Sequence, residues 1–199
     1  MELFPADPAL NLLPCDGVVT YHGPVFTPDE CAGHLARLIA EIPWEHDETV
    51  MFGKRIVTKR KVAWFADGGR SYAYSGTEKR AHGWTEHLLS LKTTAEKNSG
   101  AACNSCLLNL YHDGGEGMGW HSDDEGSLQP GAPILSLSFG AERKFSFRHK
   151  RTKETVSVFL ENGSLLVMGG ETQKNWHHQL PKSAKVSSPR VNLTFRTMR

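Results

Sequence analysis

From residue 105 to the C-terminus, apolar residues recur at alternate positions in a series of short runs. Because successive side chains of a β-strand point to opposite faces, this period is typical of strands. Glycines, prolines or charged residues separate the runs, and many short strands in succession indicate two packed sheets. The predicted strands are 105–111, 134–139, 144–148, 155–160, 164–168, 175–180 and 190–196.

Two helices are predicted before these strands. Residues 27–30, Thr-Pro-Asp-Glu, place a capping Thr, a Pro at the first helical position and a Glu at the third. Apolar residues then follow one helical stripe until Pro43 ends the helix. A second helix is predicted over about 81–97, and the proline-rich residues 1–25 are expected to be irregular. The fold class is therefore α+β, a double-stranded β-helix (jelly-roll) core with N-terminal supporting helices.

The size and composition are those of one ordinary globular domain. A chain of 199 residues can bury a real core, and 39% hydrophobic with 23% charged residues is close to the average of globular proteins. No apolar run approaches the roughly 20 residues that cross a bilayer, and the N-terminus lacks the features of a signal peptide. We therefore expect no membrane association and a cytoplasmic location, or a nuclear one in a eukaryote.

Charge and cysteine content limit the partners and the redox chemistry. The net charge is only +1, so any nucleic-acid affinity must come from local clusters. Basic residues concentrate over 54–61 and again over 143–151, although solvated surface explains such clusters as often. The motif Cys103-Asn-Ser-Cys106 has redox or zinc spacing, but there is no second CxxC, so we expect reduced cysteines, with Cys106 in the core.

The last predicted strand carries the most informative heptad, Arg190-Val-Asn-Leu-Thr-Phe-Arg196. Alternation places Arg190, Asn192, Thr194 and Arg196 on one face. Taken alone, the heptad is more often an amphipathic strand with a solvated polar face. Two guanidinium groups and two small hydrogen-bonding side chains are nevertheless well suited to a small dianion, because a guanidinium fork matches a carboxylate.

Possible metal ligands lie upstream of this heptad. His121-Ser-Asp123 is followed by the pair His177-His178. Two histidines and one carboxylate form the triad of non-haem iron oxygenases, which leaves positions open for a 2-oxo acid and oxygen. Alternation puts His177 and His178 on opposite faces of a strand, and periodicity alone does not decide which points inward. The order of these motifs predicts an iron oxygenase that uses a keto-diacid.

Over residues 50 to 196 the chain resembles the AlkB family of iron- and 2-oxoglutarate-dependent nucleic-acid dealkylases. The branch that repairs duplex DNA is the most similar, because residues 51–53 and 72–76 also match it. Departures from that branch are Tyr74 in place of Phe, Ser122 in place of a basic residue, and a shorter loop after Lys150. The matching motifs are Asn109–Tyr111, His121–Glu125, Ser138–Gly140, Phe145–His149, Gly163–Leu166, His178–Pro181 and Pro189–Arg196.

The resemblance implies a role for each matching position. It selects His178 over His177, so that the iron ligands are His121, Asp123 and His178. Asn109, Tyr111, Arg190, Thr194 and Arg196 are expected to hold 2-oxoglutarate, with Asn192 supporting them. Phe52 is expected to fill the gap that a flipped base leaves behind. A lid over about 51–80 is expected to cover the substrate base. The expected substrate-binding residues are Met51, Phe52, Gly53, Arg60, Tyr72, Tyr74, Ser75, Asp124 and Glu125.

The implied organisation is one dioxygenase domain over residues 1–199, with an N-terminal extension and first helix over 1–50 and the jelly roll over 105–196. The implied reaction uses iron(II), 2-oxoglutarate and O2 to demethylate 1-methyladenine and 3-methylcytosine in DNA, releasing formaldehyde. Alkylated DNA, duplex and single-stranded, is the expected partner of a monomer. The alternatives are an RNA demethylase of the same family, a non-catalytic jelly-roll binding module, and a protein hydroxylase.

Overall fold

The computed structural model describes residues 6–51, 54–69, 71–74 and 77–199, with backbone alone at 48–51, 54–56, 69, 71–74 and 77–80. The helices are α1 (Pro28–Glu41), α2 (Glu86–Ser99) and the short α3 (Thr172–Asn175). The strands are β1 (Val18–Pro24), β2 (Glu45–Met51), β3 (Lys54–Ala66), β4 (Ser71–Tyr74), β5 (Thr77–Arg80), β6 (Ser105–Tyr111), β7 (Met118–His121), β8 (Ile134–Gly140), β9 (Arg143–His149), β10 (Thr155–Leu160), β11 (Ser164–Gly169), β12 (Trp176–Leu180) and β13 (Arg190–Arg196).

Two sheets form the jelly roll that the sequence predicts. The larger has the order β1-β11-β8-β13-β6-β3-β2, and the smaller has the order β10-β9-β12-β7. A separate hairpin pairs β4 with β5. Neighbouring strands of both sheets run antiparallel. Strand β13 lies at the centre of the larger sheet, where it pairs with β6 on one side and β8 on the other.

The two faces of β13 have different surroundings. Val191, Leu193 and Phe195 are 0% exposed and belong to a core cluster that includes Leu38 of α1 and Leu88 of α2. Each such buried side chain contributes about 1.5–3 kcal/mol to stability. The helices therefore cover the outer face of the larger sheet. The polar residues of β13 consequently face the smaller sheet, across the interior of the jelly roll.

The observed elements confirm the predicted strands and correct several boundaries. All seven predicted strands are present, and the Thr27 side chain and Glu30 form the expected capping box. The second helix begins at Glu86, not near 81, because the Thr85 side chain caps it by accepting from the Leu88 N–H. The prediction of an irregular N-terminus was wrong for 18–24, which form an edge strand whose Pro24 lies at its end.

The segment 51–80, which was expected to form a lid, includes part of the core. The residues from Lys61 to Ala66 of β3 pair with β6 in the larger sheet. The prediction that Cys106 is a core thiol is confirmed; Cys31 and Cys103 are buried as well, Cys15 is exposed, and all four are free. Burial raises the pKa of Cys103 to about 11. Within the described residues, no helix has the length and apolarity needed to cross a membrane.

A histidine pair joins the two long helices and should make stability depend on pH. His34 Nδ1 lies 2.9 Å from His87 Nε2, and burial lowers the pKa of both imidazoles. The folded protein therefore resists protonation there, whereas the unfolded chain takes up protons as the pH falls below 6.5. Stability should be complete above that pH and decline below it.

A double substitution, His34→Gln with His87→Gln, isolates this contribution. We expect urea unfolding to show a larger loss of stability between about pH 7.5 and 5.5 in the native protein than in the double variant. Other histidines with lowered pKa, such as His22, are present in both proteins and cancel in the comparison. An equal loss in both proteins would show that the pair does not resist protonation.

Candidate metal and co-substrate site

Three potential metal ligands converge at the smaller sheet. His121 ends β7, Asp123 follows it by two residues, and His178 lies opposite His121 on the neighbouring strand β12. One ligand atom of each lies within 4.8 Å of the others. His178 is 4% exposed, and the exposure along β12 alternates, so that His177 points to the outer face of the sheet. The strand register thus decides between the two histidines.

The protonation states of these groups fit a divalent metal ion. The Gly119 carbonyl can only accept, so the 2.8 Å contact places a proton on His121 Nδ1, and Nε2 is the nitrogen that could bind a metal. Burial lowers the pKa of His178 to about 3, which keeps the imidazole neutral. Its Nδ1 is buried without a hydrogen-bond partner in the described part of the chain. Neutral imidazoles with available nitrogens are the form that metals bind.

The carboxylate of Asp123 is ionised and held in place. Burial alone would raise its pKa, but the nearby Arg196 guanidinium, with smaller effects from the histidines, lowers it overall. Arg196 Nη2 lies 3.0 Å from Asp123 Oδ2, and the Asp123 N–H donates to the Gln173 Oε1 atom at 2.9 Å. Such surrounding contacts orient a ligand before the metal binds.

A buried cation lies across the interior from these ligands. Arg190 begins β13, is 2% exposed, and has its guanidinium carbon 5.6 Å from the centre of the Tyr111 ring. Its Nη2 donates to Ser138 Oγ at 2.9 Å, whereas its Nε is buried without a partner. No carboxylate among the described residues pairs with it, and burial lowers its pKa to about 10. An uncompensated buried guanidinium favours binding of an anion.

The middle of the same strand face is tied to β8. Asn192 Nδ2 donates to Ser136 Oγ at 2.8 Å and to the Leu137 carbonyl at 2.9 Å. Thr194 Oγ1 donates to Asn192 Oδ1 at 3.1 Å. Asn192 therefore acts within the protein, where it orients Thr194. Its expected role in supporting the co-substrate residues stays a prediction, and the site has cations at the two ends of β13.

Comparison with known proteins agrees with this geometry. The sequence profile of the 2OG-Fe(II) oxygenase superfamily matches residues 17–196. The chain belongs to this superfamily. Its cofactors are iron(II) and 2-oxoglutarate, and the triad of His121, Asp123 and His178 is the candidate iron site.

Several curated proteins are similar to this oxygenase, and the resemblance to AlkB proteins is confirmed. It is 42% identical over 154 residues to the mouse DNA oxidative demethylase ALKBH2, covering 73% of this chain and 64% of that one. It is 38% identical over 173 residues to the human alpha-ketoglutarate-dependent dioxygenase alkB homolog 3, and the match covers 82% of this chain and 60% of that one. The chain thus spans about three fifths of the length of these relatives.

A solved structure supports the fold assignment. The structure of OsALKBH1 superposes on the oxygenase with a TM-score of 0.63, covering 93% of this chain and 99% of that one. The two sequences are only 18% identical, so this likeness concerns the fold alone.

The expected substrate residues of the oxygenase lie in different settings. Glu125 Oε1 lies 3.4 Å from Arg196 Nη1, and its Oε2 is buried with no hydrogen-bond partner in the described residues. Asp124 is exposed, with its Oδ2 3.9 Å from Lys150 Nζ. Met51 ends β2, and Tyr72 and Tyr74 lie in β4, where only the backbone is described. Phe52, Gly53 and Ser75 lie outside the described residues.

The two basic clusters are only partly on the surface. Arg60 is 7% exposed and hydrogen-bonds to Asn109 and Asp47. Arg143 is 2% exposed, and its Nη2 donates to the Glu116 and Pro181 carbonyls, each at 2.8 Å. Arg143 thus connects the loop after β6 to the loop before β13. In contrast, Arg148 lies over the Trp120 ring at 4.3 Å on the outer face of the smaller sheet.

Sequence reasoning missed several residues that support the site. Ser136 and Ser138 of β8 hold Asn192 and Arg190, and their alternation within Leu-Ser-Leu-Ser was a signal that they share an inward face. Ser122, a departure from the duplex-repair pattern, donates to the Trp176 carbonyl at 3.0 Å and fastens the ligand segment to β12. Nothing in the sequence indicated the role of Gln173, which depends on a contact across 50 residues.

Proposed function

We propose that this oxygenase demethylates N-alkylated bases in DNA, with 1-methyladenine and 3-methylcytosine as substrates and formaldehyde as a product. The observation that carries the proposal is a two-histidine, one-carboxylate triad facing a buried, uncompensated Arg190 in one interior. The similarity to ALKBH2, whose name describes a DNA oxidative demethylase, supports DNA as the substrate. A buried cation suits a keto-diacid, which links the two halves of the site.

The co-substrate is proposed to lie along the inward face of β13. Arg196 is next to the ligand Asp123, so we place the 2-oxo acid end of 2-oxoglutarate there. Tyr111 lies opposite Arg190 across the β6–β13 pair, so these two residues hold the distal carboxylate. Asn109 and Thr194 occupy the stretch between the two ends. Ser138 holds the Arg190 guanidinium in position before the acid enters.

The interior around His178 limits access of water to the reacting methyl group. Phe145 and Phe147 have ring centroids 5.4 Å and 6.3 Å from that of His178, and Phe147 is 0% exposed. Iron(II), when bound, supplies the oxidative chemistry that hydroxylates the N-methyl carbon at the expense of O2 and 2-oxoglutarate. The hydroxymethyl group then leaves the ring nitrogen as formaldehyde. Asp124 and Glu125, just beyond the ligand Asp123, are proposed to contact the flipped base.

Mass spectrometry of methylated oligonucleotides tests the function directly. The protein is incubated with iron(II), ascorbate and 2-oxoglutarate and with single-stranded DNA, duplex DNA or RNA carrying the same lesion. We expect a loss of 14 mass units per methyl group from DNA, with release of formaldehyde. Faster reaction on RNA would favour the RNA demethylase, and no reaction on any nucleic acid would contradict the proposal.

We infer that the protein acts as a monomer in the cytoplasm or nucleus. Light scattering tests the oligomeric state.

A change at Phe52 should separate duplex from single-stranded substrates. Extraction of a base costs a few kcal/mol in a duplex and less in a single strand. A wedge that fills the vacated step offsets that cost only in a duplex. We therefore expect Phe52→Ala to slow repair of 1-methyladenine in duplex DNA much more than in single strands, as measured by single-turnover rates. Duplex binding should also weaken steeply with added salt.

The control for this experiment is thermal stability. If Phe52 were a core residue, its replacement by Ala would lower the melting temperature and reduce both activities together. Equal losses on the two substrates would remove the wedge role and weaken the case for duplex repair.

A further inference from the structure

Three buried polar side chains form a chain across one side of the larger sheet. Asp47 of β2, Arg60 of β3 and Asn109 of β6 are 7%, 7% and 5% exposed. Arg60 Nη2 donates to Asp47 Oδ2, and Arg60 Nη1 donates to Asn109 Oδ1. Arg60 is thus engaged inside the protein from both ends of its guanidinium group, although the sequence placed it among surface basic residues.

The chemistry of the guanidinium group determines the orientation of the Asn109 amide. Arginine has only N–H donors, so the amide atom that faces Arg60 must be the oxygen. A rotated amide would place its NH2 group against the guanidinium N–H groups. Arg60 therefore holds Asn109 with Oδ1 towards itself and Nδ2 turned away from it. A buried asparagine without such a neighbour has two alternative orientations.

The orientation matters because of where Asn109 lies. It is opposite Asn192 in the β6–β13 pair and two residues before Tyr111 on the same face of β6. It therefore belongs to the strand face that carries the proposed 2-oxoglutarate site. An anionic acid requires N–H donors from such a side chain, and an oxygen pointing at it would repel it.

Asp47 limits Arg60 to this orienting effect. The carboxylate of Asp47 contacts the guanidinium directly, so the pair has little net charge. This pairing weakens any long-range electrostatic attraction between Arg60 and the co-substrate, but it leaves the hydrogen bond from Arg60 to Asn109 in place.

We propose that Arg60 is a positioning residue for 2-oxoglutarate. It holds Asn109 in the orientation that directs Asn109 Nδ2 towards the acid. This inference rests on the proposed co-substrate site. It assigns Arg60 a task within the protein in place of the DNA contact expected from the sequence. It also explains why a basic residue of the 54–61 cluster is buried.

Calorimetry of 2-oxoglutarate binding to the manganese-loaded, DNA-free protein tests the inference. We expect Arg60→Met and Asn109→Ala each to raise the dissociation constant about fivefold or more, and the double variant to raise it little beyond the larger single effect. Arg60→Lys, which keeps a donor-only group, should recover part of the affinity. Arg37→Met changes an arginine whose side chain is 54% exposed, and it should leave the affinity unchanged.

Asn109→Asp distinguishes orientation from simple structural support. The aspartate can still accept from Arg60, so the fold should retain its melting temperature. Its second oxygen would occupy the place of Nδ2, and we expect at least a tenfold loss of 2-oxoglutarate affinity, about 1.4 kcal/mol. Unchanged affinity in this variant would show that Asn109 has only a structural role and would overturn the inference. This comparison also stands if Arg60→Met does not fold.

The outcomes separate this inference from the proposed function. If Asn109→Ala weakens binding but Arg60→Met does not, the co-substrate site stands and the positioning role is wrong. Additive losses in the double variant would likewise show independent roles. If neither single variant affects binding, the co-substrate lies elsewhere and the inference fails with the site. If Arg60→Met lost affinity for methylated DNA but kept its affinity for 2-oxoglutarate, Arg60 would be a DNA-contacting residue.

Discussion

His178→Ala is expected to abolish iron-dependent turnover, whereas His177→Ala should retain most of it. His178 is buried beside His121 and Asp123, while its neighbour points to the outer face of the smaller sheet. Loss of a ligand should reduce activity by more than about 100-fold, since changes to groups that merely support ligands already cost 10- to 100-fold. Formaldehyde release from a methylated oligonucleotide measures the difference.

The two histidine variants are matched in chemistry and adjacent in the chain. Circular dichroism and the melting temperature establish that both are folded, and metal content after dialysis against iron(II) gives a readout independent of turnover. The opposite ranking, with His177→Ala inactive and metal-free, would show that the register of β12 is incorrect.

Arg190→Lys and Arg196→Lys should each weaken 2-oxoglutarate binding by at least about tenfold, roughly 1.4 kcal/mol. A guanidinium group offers a fork of N–H donors, whereas lysine presents a single point of charge. Arg190 uses Nη2 on Ser138 and retains other donors for a carboxylate. Arg196 must serve Asp123 and Glu125 as well, which a lysine cannot do with the same geometry. Calorimetry on the manganese-loaded protein measures both constants.

An exposed arginine provides the control for these substitutions. Arg37 forms a surface pair with Glu41, so Arg37→Lys should not change the affinity for 2-oxoglutarate. Ser138→Ala should cause a smaller loss than Arg190→Lys, because it removes the support of the guanidinium but not the guanidinium. Unchanged affinity in both Arg190→Lys and Arg196→Lys would place the acid at another site.

The parts of the fold that follow simple periodicity could be predicted from the sequence. Alternation identified β13 to the residue, because one face is wholly apolar and the other polar. The capping box at Thr27 identified the start of α1, because a capping box is a local sequence signal. The grouping of His121, Asp123 and a later histidine followed from their order, and the resemblance to AlkB proteins selected His178 as that histidine.

The parts that depend on register between distant strands could not be predicted. Periodicity alone left His177 and His178 open, because the choice depends on how β12 pairs with β7, and only the resemblance to AlkB proteins selected His178. Strand β3 was hidden because its many basic residues resemble a solvated surface. Arg60 illustrates the difficulty, since its burial depends on Asp47 and Asn109 from two other strands.

The ion pair between Arg196 and Asp123 would couple the binding of the metal to the binding of the acid. Arg196 belongs to the larger sheet, and Asp123 follows a strand of the smaller one, so the carboxylate proposed to bind the metal also contacts the cation proposed to receive the acid. A metal held by Asp123 would compete with Arg196 for the same carboxylate and would leave more of the guanidinium group available to the acid. By reciprocity, the acid must strengthen metal binding as much as the metal strengthens acid binding.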